Sequence, residues 1–408
     1  MASDALAHVR VLDLSRVLAG PWASQVLADL GAEVIKVERP RTGDDTRSWG
    51  PPYLRDARGV ETGESAYFVS ANRGKKSVAI DIARPEGQSI VRRLAERADV
   101  VLENYKVGAL ARYGLAYEQL APLNPGLVYC SITGFGQSGP YRSRAGYDFL
   151  IQAMGGLMRI TGEPEGVPGG GPMKVGVAIT DILTGMYAAT AVLAALAHRE
   201  RSGRGQHVDL ALLDVQIAML ANQAESYLVT GHAPERLGNA HPSIVPYQAF
   251  STRDGYIALA VGNDAQFARF CEVAGRPELA RDARFVTNAA RVRNRGDLVA
   301  LLAPVLAART SGDWIAALEP AGVPCGPIND LAQVFKDPQV RHREMRVEVG
   351  HPLCGTVPMV ASPIRLSATP VRHDAPPPML GQHTREVLMG ILGMDDAEVE
   401  ELRRAGVI

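Results

Sequence analysis

The sequence predicts a doubly wound α/β domain followed by a smaller α+β domain, and three observations carry that prediction. Strand-like and helix-like runs alternate through the first half with short joins, which implies a parallel sheet. After Arg204 the alternation stops, and Asp254-Gly255 between two apolar runs signals a hairpin. The chain has 408 residues, 46% of them hydrophobic, which is ample for a large core and more than one average domain needs.

Val9-Arg10-Val11-Leu12-Asp13-Leu14 reads as a buried strand and Gly20 to Leu30 as a helix, with Pro21 tolerated in its first turn. Gly31 stops that helix, and Ala32 to Val37 is the next strand, which completes a βαβ unit. The pattern repeats with a strand at Ser77 to Ile82, a helix at Pro85 to Arg97, and strands at Val100 to Leu102 and Leu127 to Ile132. Helices follow at about Asp148 to Met158 and Ile182 to His198. Val208 to Leu228 looks like one long helix. Beyond it come the hairpin, at Gln248 to Ser251 and Tyr256 to Val261, and helices near 265–274, 294–308 and 312–321. Short strands near Arg346 to Val349 and Ile364 to Leu366 lead to Pro376-Pro377-Pro378 and a last helix. The expected organisation is a large domain over 1–205, a linker helix over 206–224, a small α+β domain over 225–330, and a return to the large domain over 331–408.

The formal net charge of -1 leaves no basic footprint for a general nucleic-acid or membrane partner. Cys130, Cys271, Cys325 and Cys354 form no C-x-x-C pair, which argues against a disulfide framework or structural zinc and for a reducing compartment. Met1-Ala2-Ser3-Asp4 lacks the start of a secretory signal, and the longest apolar run, around Ala188 to Ala197, is short for a bilayer. The expectation is a cytoplasmic protein. The first turn, Ser15 to Pro21, has no G-x-G-x-x-G, so Glu38 at the end of the second strand does not make a dinucleotide site. The nine histidines are scattered, and no metal site is expected.

Two features remain. Lys36, Arg39, Arg47, Arg73, Lys75, Lys76, Lys106 and Arg112 cluster in the first domain, several just after strands, where open α/β sheets bind ligands. They are either a solvated basic surface or a site for a ligand with several phosphates. The second feature is Asp181, the only acid in a long run of apolar and small residues ahead of a helical stretch. It is either an N-cap or a carboxylate placed to act as a covalent nucleophile toward an activated acyl group.

The segments Val17-Leu18-Ala19-Gly20-Pro21, Gly31 to Pro40, Asn72-Arg73-Gly74-Lys75-Lys76-Ser77, Glu103-Asn104-Tyr105, Arg112-Tyr113-Gly114, Gly146-Tyr147-Asp148 and Asp181 to Gln206 resemble the class III CoA-transferases, the CaiB/BaiF or formyl-CoA transferase family. The likeness runs over essentially the whole chain in consistent order. It implies a Rossmann-like large domain, a smaller domain, and two chains interlocked as a dimer. It implies that Asp181 carries the acyl and CoA groups in turn. By position Leu18, Ala19, Arg39, Arg73, Ile80, Asn104, Tyr105 and Arg112 would bind CoA, and Trp49, Tyr147, Asp148, Gly238, His241 and Ser243 would face the substrate. No cofactor would be tightly bound, and coenzyme A would enter as acyl-CoA substrate.

Two departures narrow the expectation. Leu18 stands where formyl-CoA transferase has Gln, and Gly238 to Pro246 replaces that enzyme's run of glycines. That loop, Asp44 to Pro52 and Pro376 to Thr384 look more like the succinyl-CoA:glutarate (hydroxymethylglutarate) branch of the family. A dicarboxylate needs a cation for its distal end, and Arg47, Arg73 and Arg236, with His241 and Ser243, are the candidates. Backbone N–H groups from Gly238 to Ser243 are either oxyanion donors or part of an ordinary interdomain turn. A 2-methylacyl-CoA racemase of the same fold would need His where this chain has Tyr147, and tyrosine is too weak a base near neutral pH. A non-catalytic acyl-CoA-binding protein is the alternative of another class.

Overall fold

The computed structural model describes residues 4–408, so all but the last residue of the Met1-Ala2-Ser3-Asp4 reading lies outside the described residues. The chain divides into two compact units. The first comprises the chain up to Gly156, Val175–Ala224 and Pro338–Ile408; the second comprises Leu157–Lys174 and Glu225–Asp337. Leu157–Lys174, expected in the large domain, packs instead with the second unit, and the return begins at Pro338 rather than 331.

The first unit is built on a six-stranded parallel sheet. Its strands are β1 (Arg10–Asp13), β2 (Glu33–Glu38), β3 (Lys75–Ala79), β4 (Val100–Glu103), β5 (Val128–Thr133) and β6 (His207–Ala211). Their order across the sheet is β3-β2-β1-β4-β5-β6, with Leu12 opposite both Ile35 and Val101. The order reverses between β1 and β4, and such a switch point opens a crevice beyond the strand ends. β6 corrects the sequence reading: His207–Ala211 pairs with β5, and the expected long helix is a strand followed by two helices, Leu212–Met219 and Ala221–Thr230.

Apolar residues cover both faces of this sheet. On one, Leu12, Ile35, Val78, Val101 and Tyr129 pack under the helix Pro85–Ala95 and two C-terminal helices, Thr384–Leu392 and Asp396–Arg404. Two helices stand where one was expected. On the other face, Val11, Val34, Val100, Val128 and Cys130 pack under α1 (Ala19–Asp29) and the 24-residue helix Ile179–Ser202. By length and composition this second helix could cross a membrane. Here it buries Ala188, Val192, Ala195 and Leu196 in the core. Arg346–His351 pairs with Gly355–Val360, and Ile364 to Leu366, expected as a strand, is not one.

The second unit has a three-stranded antiparallel sheet of Tyr247–Ser251, Tyr256–Ala260 and Cys325–Pro327. Phe250, Ile257, Leu259, Phe267, Phe270, Leu302 and Trp314 form its own core.

Candidate active site

Asp181 lies in the first turn of Ile179–Ser202. A helix start leaves backbone donors unsatisfied, and the capping residue Ala178 has no side chain to bond them. Asp148 does so from another segment. Its carboxylate accepts from the Thr180 N–H at 2.8 Å and the Asp181 N–H at 3.3 Å. Gln152 donates to the same carboxylate at 2.6 Å. Thr180 donates its hydroxyl to Gln216 at 2.6 Å. The cap reading of Asp181 is therefore corrected: Asp148 caps the helix. The Asp181 carboxylate accepts no hydrogen bond among the described residues. Burial, and then the charge of Asp148, push its carboxyl up to about 7. Burial and the neighbouring charge thus outweigh the pull of the helix terminus toward the ionised form.

Two close backbone approaches set this geometry. A Cβ on Gly185, one turn after Asp181, would lie 2.7 Å from the Ala19 carbonyl oxygen, so the helix seats directly on the head of α1. A Cβ on Gly134 would lie 2.6 Å from the Gly146 Cα, which brings the Gly146-Tyr147-Asp148 segment against the end of β5.

Asp181 lines a cavity of about 170 Å³ at the switch point. Of the residues expected to bind CoA or substrate, Leu18, Ala19, Asn104, Tyr105 and Tyr147 line it too. The N–H groups of Leu18 and Ala19, at the uncapped head of α1, take no acceptor among the described residues. An adjoining cavity of about 150 Å³ is lined by Arg39, Ile80 and Tyr113, and shares Arg16 and Tyr105 with the first.

The loop between β1 and α1 is pinned at three successive residues. Lys36 donates to the Ser15 carbonyl at 2.9 Å. Asn104 accepts from the Arg16 N–H at 2.8 Å and donates to the Arg16 carbonyl at 2.6 Å. Val17 donates to Asp44 at 3.2 Å. These bonds hold Val17 at φ 71°, a left-handed conformation that is rare for a β-branched residue and costs about 1–3 kcal/mol. Asp44 keeps its charge there: burial works to raise its carboxyl, but Lys36 and Thr46 bring it down to about 2.

The basic cluster divides. Lys36 pairs with Asp44 at 2.9 Å, Arg47 with Glu38 at 2.8 Å, Arg73 with Asp29 at 2.6 Å, Lys75 with Asp13 at 3.3 Å and Lys76 with Glu33 at 2.9 Å. Arg39, Lys106 and Arg112 have no carboxylate partner among the described residues. The candidates for a distal carboxylate are corrected accordingly: Arg47 and Arg73 are in buried pairs, and Arg236, in the second unit, pairs with Glu165. Glu38 is likewise bound by Arg47 and Ser77.

Arg73 lines neither of the two adjoining cavities, and Arg112 is exposed outside both. Trp49 stands edge-on to Tyr67 at 5.1 Å. Burial raises the Tyr67 phenol, and the charges of Asp181 and Asp148 raise it further, which places it in reach of their field. Gly238, His241 and Ser243 belong to the second unit. There the Gly238 N–H donates to Gly162, Ala240 to Leu237, His241 to Tyr247, and Ser243 to the His241 ring. Pro242 has no N–H, so of the expected oxyanion donors only Asn239 lacks an acceptor among the described residues. Sequence reasoning passed over Arg16, Tyr67, Arg142 and Arg144. The last two shortly precede Gly146-Tyr147-Asp148, and that proximity was the available signal. Among the described residues no group of three or more His, Cys, Asp or Glu could hold a metal.

The model of CoA-transferase family III matches residues 6–384. The chain is 51% identical over 399 residues to a succinate–glutarate CoA-transferase of Agrobacterium fabrum, covering 98% of this chain and 96% of that one. It is 45% identical over 403 residues to a succinyl-CoA:glutarate CoA-transferase of Homo sapiens, covering 99% of this chain and 90% of that one. Among solved structures, a CaiB/BaiF family protein from Brucella suis superposes with a TM-score of 0.84 at 48% identity, covering 96% of this chain and all of that one.

Proposed function

The chain belongs to CoA-transferase family III, and from that premise we propose that it moves CoA from succinyl-CoA to a dicarboxylic acid such as glutarate or hydroxymethylglutarate through a thioester on Asp181. The observation that carries the reading is the Asp181 carboxylate itself. It lines a cavity, has no hydrogen-bond donor, and has its capping duty taken by Asp148.

The steps balance without an added reagent. The ionised Asp181 attacks the thioester carbonyl of succinyl-CoA, the C–S bond breaks, and a mixed anhydride forms beside CoA thiolate. The thiolate attacks the Asp181 carbonyl of that anhydride, releasing succinate and leaving the enzyme thioester. The acceptor carboxylate attacks this thioester and expels the thiolate, which then takes the acceptor acyl group and restores Asp181. One thioester replaces another, so the site must supply position, dryness and donors for the tetrahedral oxyanions. We assign those donors to the free Leu18 and Ala19 N–H groups at the head of α1. CoA lies along the two adjoining cavities, with Asn104 and Tyr105 at the Asp181 end and Arg39 and Ile80 at the other. The reading is tested by mixing the protein with succinyl-CoA and a panel of dicarboxylates and identifying acyl-CoA products by mass. Its failure is the absence of any new acyl-CoA.

The ionised nucleophile also predicts a pH profile. With Asp181 near 7, kcat/KM falls as the pH drops through about 7. Asp148→Asn keeps an acceptor for the helix donors but removes the neighbouring charge, so its acid limb moves to lower pH. Matching limbs in the two enzymes would remove Asp148 from that role.

We also read the protein as an interlocked homodimer. The helix Ala221–Thr230 buries none of its residues and leaves Leu228 and Val229 about three-quarters exposed, at 73% and 75%. A helix of this length is marginal in water without packing, so its apolar side needs a partner. Sedimentation should give a dimer, and a Leu228→Glu, Val229→Glu variant should shift it toward monomer; an unshifted dimer would place the interface elsewhere. Four unpaired cysteines suit a reducing compartment, and the cytoplasm is the location we propose.

A further inference from the structure

We propose that Arg144 binds the distal carboxylate of the diacid in the Asp181 cavity, with Arg142 as a secondary cation beside it. The inference rests on the diacid reading above and names the group that enforces it. A diacid held with one end at Asp181 carries its second carboxylate into the same cavity, and a carboxylate withdrawn from water without a counter-charge is costly.

The cavity wall holds four cations, Arg16, Lys106, Arg142 and Arg144. Arg16 is engaged with Asp45 at 3.1 Å, and its guanidinium stands over the Tyr105 ring. The other three have no carboxylate partner among the described residues. The cations that sequence alone suggested for this duty, Arg47, Arg73 and Arg236, are all paired.

Arg144 differs from Lys106 and Arg142 in being held. Its guanidinium lies 4.6 Å from the Tyr141 ring centre and 5.5 Å from that of Phe135, and these two rings meet edge to face. Aromatic contacts of this kind fix the plane of a guanidinium and leave its N–H edge free, the arrangement that meets a carboxylate with two parallel bonds. The backbone is fixed as well, since the Arg144 N–H donates to the Tyr141 carbonyl at 2.9 Å. Two residues on, Gly146 abuts Gly134, and four residues on, Asp148 grips the head of the Asp181 helix. One short segment thus ties the cation and the nucleophile together, so their separation is set by the scaffold and not by a flexible lysine.

The test compares acceptors at saturating succinyl-CoA, with glutarate as the diacid and butyrate as the monoacid, in wild type, Arg144→Gln and Arg144→Lys. Loss of a charged hydrogen-bonding partner should lower kcat/KM for glutarate by about 30-fold in Arg144→Gln. The kcat/KM for butyrate should change by less than about threefold, because it reports only the half-reaction of an acceptor that never used the contact, whatever the loss does to loading from succinyl-CoA. Arg144→Lys should recover part of the preference, since it keeps the charge and loses the fork. An unchanged glutarate-to-butyrate ratio in Arg144→Gln overturns the inference, including the case where both rates fall together, which would assign Arg144 to the CoA moiety. That result leaves the diacid reading standing, because wild type would still form glutaryl-CoA. A wild type that makes no acyl-CoA from any diacid removes both.

Discussion

Asp181→Ala will form no acyl-CoA product from succinyl-CoA and a diacid, with turnover lower by about 10⁴-fold or more. Both covalent states of the reaction sit on this one carboxylate, and the other carboxylate of the cavity wall, Asp45, is paired with Arg16 at 3.1 Å. The neighbouring Asp148 cannot substitute, because its oxygens are committed to Thr180, Asp181 and Gln152. A second readout needs no turnover. Wild type treated with succinyl-CoA alone should gain the mass of CoA less one water, and Asp181→Ala should gain nothing. Activity within tenfold of wild type, or the same adduct on the mutant, would remove Asp181 as nucleophile.

Asp181→Asn will melt above wild type at pH 8 by about 2–6 °C, and the difference will close toward pH 4. The sign follows from the raised carboxyl. In the folded protein Asp181 loses its proton near 7, while in the unfolded chain it does so near 3.8. Between those values folding must take up a proton, so wild-type stability falls as the pH rises, and above about 7 the whole cost is present. A carboxyl moved that far corresponds to about 4 kcal/mol as an upper bound, and water reaching a partly exposed carboxylate reduces that to about 1–3 kcal/mol. Asparagine keeps the shape and cannot ionise. A melting difference that is the same at pH 4 and pH 8 would show that no such penalty is stored at Asp181.

Five of the six sheet strands were legible in sequence, four of them as largely aliphatic runs; β3 was expected at Ser77 to Ile82 but lies at Lys75–Ala79, because its first half is two lysines and a serine. β6 was not legible. His-Val-Asp-Leu-Ala places Asp209 mid-strand and runs straight into the helix at Leu212 with no turn residue between them. A short apolar run of that kind cannot be told from helix by periodicity. Gly355–Val360 was missed for another reason, since Pro358 argues against a strand unless it lies at an edge, and this two-stranded ribbon consists of edges. At the site, the nucleophile stood out as a lone acid in an apolar run, but its cap did not. Asp148 lies 33 residues away and reaches the helix only through the backbone approach at Gly134 and Gly146. The basic cluster misled for a related reason. Lys75 and Asp13 become partners only when their strands enter one sheet, and Lys36 meets Asp44 only when the loop after β2 folds back on it. The acids Asp13, Glu33 and Glu38 in the strands, Asp29 at the end of α1 and Asp44 in the loop after β2 were the overlooked sign that these cations are neutralised internally.

The first unit is assembled from three separate stretches of chain, and the last of them adds no strand to the parallel sheet but carries part of its covering layer. Val387, Leu388, Leu392, Val399 and Val407 pack on the face that also holds Leu12, Ile35, Val78 and Val101. During synthesis those strands emerge early, and these covering residues emerge only after the second unit has been made. The part of that face not covered by the helix Pro85–Ala95 therefore stays wet until then, which makes it a natural target for a chaperone and an exposed route to aggregation. Shortening the chain at its C-terminal end would not trim a tail; it would remove one wall of the core.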